Sequence, residues 1–123
     1  MKHAPIHKSF GFAFSGLYHA FSQNRNFRLE VYAGIGVIYL GKVLELTHFE
    51  MIIVFLMALL VILAEMINTS IEEMTDLITN EHRLEAKIAK DVAAGMVFVA
   101  CTGAAIVGGV IFYPYIAQIL LML

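Results

Sequence analysis

Glu65, Asn68, Glu72 and Asp76 follow an uncharged run from Met51 to Ala64 that contains neither Gly nor Pro, so the helix which that run predicts continues into the acids. At about 100° per residue these polar side chains fall within roughly a quarter of the circumference, forming one stripe. A helix from Glu50 to Ile78 is on the order of 40 Å long against about 30 Å of bilayer hydrocarbon, so its last turns project beyond the membrane. Glu65 is then expected near the lipid head groups, with Glu72 closer to water. Ionisable residues at membrane depth are costly, which makes Glu65 a candidate for function, whereas Glu73 and Asp76 fit equally well as a solvated helix end.

A second polar set, Lys87, Lys90 and Asp91, opens the next helix, with Ala94 on the same face. If the chain turns back after Ile78, this set emerges on the same side as Glu72. A carboxylate suited to Mg²⁺ and a lysine suited to phosphate then share one interface. For Lys87, snorkelling of the ammonium toward water is the better account. The chain has no Walker A sequence, and Gly34-Ile35-Gly36 lies inside an apolar helix, where close packing explains it. The histidines have no HExxH spacing, which argues against zinc.

The elements that must position these residues are helical and apolar. The chain has 123 residues, 60% hydrophobic and 15% charged, with a formal net charge of −2, a balance that excludes an ordinary soluble domain. No basic cluster beyond the N-terminus suggests nucleic acid. The single cysteine, Cys101, lies in an apolar segment and has no intrachain partner for a disulfide. The expected fold is an all-α membrane protein, a single domain over residues 1–123. Phe10, Phe14, Leu17 and Phe21 make one apolar stripe, so about 9–22 is read as a helix lying on the membrane surface. Spans are expected at about 27–46, 50–78 and 84–113. Pro114 is expected to end or kink the last helix, leaving 114–123 as an apolar tail. Lys2, Lys8, Arg25 and Arg28 precede the first span, which places the N-terminus in the cytoplasm and the C-terminus outside. Met1 to Lys8 is basic but is not followed by a cleavage site of the signal-peptide kind. With few helices to cover a polar stripe, the chain is expected to oligomerise.

The blocks Glu65-Met66-Ile67-Asn68-Thr69-Ser70-Ile71-Glu72, Asp76 and Ala89-Lys90-Asp91-Val92-Ala93-Ala94-Gly95 resemble the signature of the small prokaryotic diacylglycerol kinase and undecaprenol kinase family. The similarity runs from Lys8-Ser9-Phe10 through Asn26-Phe27-Arg28 to about Pro114. It implies a homotrimeric helical bundle of three-span subunits in the bacterial cytoplasmic membrane, each with an N-terminal surface helix. It also implies Mg-ATP-dependent phosphorylation of a lipid alcohol. Carried over by position, Glu65 is the general base, with Asn68 and Ala94 beside it on the lipid side. Glu72 ligates Mg²⁺ and the nucleotide, Lys90 and Asp91 contact the nucleotide, and Glu81 lies in a turn near it with His82 and Arg83.

The chain departs from that pattern in several places. Where the family carries a second metal-binding Glu, this chain has Asn24, which is expected to bring an amide oxygen and no charge to Mg²⁺. Pro5 stands where an Arg is common, and the tail after Pro114 is long. Ala93-Ala94-Gly95 looks more like the undecaprenol branch than the diacylglycerol branch. A reading from another class is a small oligomer conducting protons or ions along the stripe from Glu65 to Asp76; Lys90 and Asp91 on the same side favour the kinase.

Overall fold

The structure is a computed structural model and describes residues 5–123; Lys2 lies outside the described residues. The helices are α1 (Ile6–Gln23), α2 (Arg25–Val43), α3 (His48–Ile78) and α4 (Leu84–Met122). The long helix α3 packs against both α2 and α4, while α1 meets α2.

Pro5 fixes the start of α1. Its φ of −57° suits helix entry, and its carbonyl accepts from the N–H groups of Lys8 and Ser9 at 2.9 and 3.2 Å. The break between α1 and α2 is a single extended residue, Asn24, whose side chain accepts from the N–H groups of Asn26 and Phe27. That cap is why α2 begins at Arg25 rather than near Phe27. Arg28 Nη1 reaches back to the carbonyls of Phe21 and Ser22 at 2.8 and 2.9 Å, satisfying acceptors that the end of α1 leaves open. Phe21 stacks edge-on against Phe27 and Tyr32, which fixes the corner further.

At the other end of the molecule, α2 stops at Val43 and the chain reverses through Glu45, whose φ of 58° is left-handed. The earlier stop than 46 follows from the bond of Leu46 N–H to the Gly41 carbonyl at 3.0 Å, which closes the helix end. A capping box then starts α3: Thr47 Oγ1 accepts from Glu50 N–H at 3.3 Å, and Glu50 Oε2 accepts from Thr47 N–H at 2.8 Å.

Pro114 does not end the last helix: α4 continues through it to Met122. On either side of the proline the helix is tied to the α2–α3 turn. Phe112 is buried with Leu46 and Val54, and Tyr115 Oη donates to Glu50 Oε2 at 2.6 Å. These contacts keep the segment helical where proline alone would favour a break.

Buried apolar side chains are few and scattered, whereas large apolar residues such as Phe55, Leu60, Phe98 and Val110 are exposed along the helices. This is the surface of a membrane protein, finished by lipid tails rather than by its own interior. Helices α3 and α4 are long and apolar enough to cross a bilayer. Among the described residues α2 does not meet that measure, since Arg25, Arg28, Glu30 and Lys42 interrupt it.

Candidate active site

Glu65 is 2% exposed and Asn68 is 7% exposed, the most deeply buried polar side chains among the described residues. A helical repeat of 3.6 residues puts Glu65, Asn68, Thr69 and Glu72 on one side of α3, facing the α1–α2 corner. There they line a cavity of about 310 Å³ together with Asn24. A buried carboxylate needs hydrogen bonds, and Glu65 finds one: Asn24 Nδ2 donates to its Oε1 at 2.7 Å. The same Nδ2 donates to Thr69 Oγ1 at 2.7 Å. Asn68 Nδ2 donates to Glu72 Oε1 at 3.3 Å, and its own Oδ1 is buried without a protein donor. Such an orphaned acceptor beside two carboxylates suits a hydroxyl donor or a hydrated cation. Above the cavity, His19 of α1 lies 3.5 Å from Glu73.

A separate polar cleft of about 260 Å³ opens where α3 turns into α4, lined by Thr75, Asp76, Glu81, Arg83, Lys87 and Lys90 among others. Lys90 Nζ donates to Asp76 Oδ1, and Lys87 Nζ donates to Asp91 Oδ2 at 3.0 Å. Glu81 Oε2 accepts from Arg83 Nε and Nη2 at 3.2 and 3.1 Å. Both recesses lie along the C-terminal half of α3. The geometry therefore offers a buried acceptor in one place and a cationic cleft close by, which is the division that transfer of a charged group to a membrane-borne acceptor requires.

Among the described residues no group of three or more His, Cys, Asp and Glu side chains could hold a metal ion by itself. That arrangement still fits Mg²⁺, which is commonly bound by one or two carboxylates with phosphate oxygens and water completing its shell. Glu72 is half-buried on the cavity wall and has the carboxylate for this. Asn24 does not fit as the second ligand, because its Oδ1 already accepts from Asn26 N–H at 2.9 Å and Phe27 N–H at 3.2 Å.

Of the residues singled out from sequence, Asn24, Glu65, Asn68 and Glu72 line one cavity, and Glu81 and Lys90 line the neighbouring cleft. Asp91 is exposed and tied to Lys87. Ala94, expected beside the lipid, is exposed on α4 and lines neither recess; a turn of the helix by one residue buries Ala93 instead, at 2% exposure. Thr69 was not singled out, although its i+4 spacing from Glu65 carries the signal. Glu30, the other acid that could complete the metal site in place of Asn24, lines neither recess. It stands at an apolar cleft of about 260 Å³ among α2, α3 and α4, with one oxygen buried and unpartnered and the other 4.0 Å from Cys101 Sγ.

A helical chain with membrane-length apolar helices, a buried carboxylate in a polar cavity and lysines in an adjoining cleft has the parts of a membrane-bound phosphotransferase. A profile of the prokaryotic diacylglycerol kinase family matches residues 11–112, and the chain belongs to that family of membrane lipid kinases. It is 40% identical over 108 residues to a diacylglycerol kinase of Synechocystis sp., covering 86% of this chain and 61% of that protein. It is 39% identical over 107 residues to an undecaprenol kinase of Bacillus subtilis, covering 87% of each chain. A diacylglycerol kinase of Haemophilus influenzae is 33% identical over 104 residues, covering 83% of this chain and 87% of that one.

Proposed function

We propose that the chain transfers the γ-phosphoryl group of Mg-ATP to the hydroxyl of a membrane lipid alcohol, with undecaprenol as the preferred acceptor and diacylglycerol as the alternative. The observation that carries this reading is Glu65, a carboxylate almost wholly buried where the uncharged run of α3 gives way to polar residues, and lining a polar cavity. Its Oε1 is occupied by Asn24, so Oε2 takes the proton of the lipid hydroxyl. As that O–H bond breaks, the lipid oxygen bonds to the γ-phosphorus, the bond from that phosphorus to the β-phosphate bridging oxygen breaks, and ADP leaves. Asn68 lines the cavity beside Glu65 and bounds the place where the hydroxyl enters.

Glu72 would hold Mg²⁺, which when bound neutralises charge on the phosphates. Lys90 exchanges Asp76 for a phosphate oxygen, and Glu81 and Asp91 border the nucleotide. Ala93-Ala94-Gly95 supports undecaprenol as acceptor, the reading by which this chain looks more like the undecaprenol branch. Exposed apolar faces on α2, α3 and α4 support a homotrimer embedded in the cytoplasmic membrane, with α2 as a third span. The N-terminus is then cytoplasmic, supported by Lys8, Arg25 and Arg28 before that span.

The test is phosphate transfer from labelled ATP by the purified protein, with undecaprenol and diacylglycerol supplied in identical mixed micelles. Transfer to undecaprenol at the higher kcat/KM is expected. Faster transfer to diacylglycerol would exchange the two acceptors, and Mg-ATP turnover with neither lipid would remove the reading.

A further inference from the structure

Asn24 meets four groups at once. On one side the N–H groups of Asn26 and Phe27 donate to Oδ1; on the other, Nδ2 donates to Glu65 Oε1 and Thr69 Oγ1. These neighbours fix which way the amide faces. Turned over, its NH₂ would confront two N–H donors and its oxygen would confront a carboxylate, leaving buried groups unsatisfied on both sides. An amide oxygen has two lone pairs, and the first turn of α2 engages both. No acceptor capacity is left for a cation. The polar nitrogen is the part of Asn24 that faces the chemistry.

We infer that Asn24 is a positioning residue for Glu65 and takes no part in holding Mg²⁺: its Nδ2 pins Oε1 and thereby aims Oε2 at the lipid hydroxyl. A Glu at this position would bring a second carboxylate against Glu65, whereas Asn brings a donor. Thr69 is the second anchor of that donor, one helical turn beyond Glu65, so the amide is held on α3 at two points. The cap on α2 makes the arrangement rigid from the other side, because the residue that ends α1 and starts α2 is the residue that orients the acid. The inference rests on Glu65 being the proton acceptor, as proposed above.

Asn24→Asp separates the two roles of the side chain, since Asp caps a helix as well as Asn does but cannot donate to Glu65. In full-length protein in micelles, kcat for Asn24→Asp should fall by about tenfold or more, the loss expected for a hydrogen bond to a charged group. KM for ATP should be unchanged, and so should Mn²⁺ affinity in the presence of ATP, read by electron paramagnetic resonance. With ¹⁵N-labelled asparagine, the Asn24 side-chain amide resonance should move in Glu65→Ala, a readout independent of turnover. Tighter Mn²⁺ binding by Asn24→Asp would overturn the inference in favour of a metal ligand, as would an unmoved amide resonance. Wild-type kcat in Asn24→Asp beside an inactive Glu65→Gln would overturn this inference alone. An active Glu65→Gln would remove the proton acceptor and this inference with it.

Discussion

Lys90 Nζ and Asp76 Oδ1 lie 2.5 Å apart and join the polar ends of α3 and α4. Lys87 is paired with Asp91 one turn away, so each of these cationic head groups already has an anionic partner. Both pairs are exposed enough for water and salt to weaken them, and they add little to stability. On the proposed reading, a phosphate, which carries more charge than Asp76, would displace it from Lys90 without a large penalty.

Lys90→Met should therefore raise KM for ATP by about tenfold or more, the range for a lost charge-assisted hydrogen bond, and lower kcat less. Unchanged KM and kcat would exclude Lys90 from nucleotide binding. Initial rates across an ATP titration measure both.

Glu65→Gln retains the shape of the side chain and can still accept from Asn24, but it cannot take up a proton. Its kcat should fall by about a hundredfold or more while ATP binding persists. Retention of about a tenth of wild-type kcat would be too small a loss for removal of a general base.

Gly34 faces Ala58 across the α2–α3 contact, where an added Cβ would sit 3.4 Å from the Ala58 Cβ. A single methyl fits there in ordinary van der Waals contact. Gly34→Leu should destabilise the chain by about 1–3 kcal/mol through overpacking, seen as a lower thermal midpoint, whereas Gly34→Ala should be close to neutral. Equal midpoints for Gly34→Leu and wild type would mean that the helices do not pack there in the membrane.

Orientation can be checked at the α2–α3 turn. With Cys101 replaced by Ser, a cysteine introduced by His48→Cys should react with an impermeant thiol reagent from outside intact cells. Labelling from the cytoplasmic side alone would reverse the assigned topology.

The stripe on α3 was legible because one uninterrupted helix carries it, and helical periodicity alone then decides which residues share a face. The role of Asn24 was not legible. Sequence says that an amide is present; it does not say which end of the amide faces the acid, and here two backbone N–H groups on another helix decide that. Pro114 misled for a different reason. Its local preference is to break a helix, and that preference loses to Phe112 and Tyr115 anchored on residues more than fifty positions earlier in the chain. The capping box at Thr47 and Glu50, by contrast, is a local pattern and could be read directly from T-H-F-E.

Because α4 passes through Pro114, the uncharged stretch from Val92 to Met122 is continuous helix with a path of about 46 Å, against about 30 Å of hydrocarbon. The excess cannot be absorbed by a small tilt, and the bond from Tyr115 to Glu50 ties the far part of the helix to the start of α3. Hydrophobic mismatch is thus built into the subunit, and the packing of α4 against α3 settles how it is met. Lys90 and Tyr115 stand on that one helix, about 38 Å apart along it, so the α3–α4 pair is pinned near both ends, by Lys90 to Asp76 at one and by Tyr115 to Glu50 at the other.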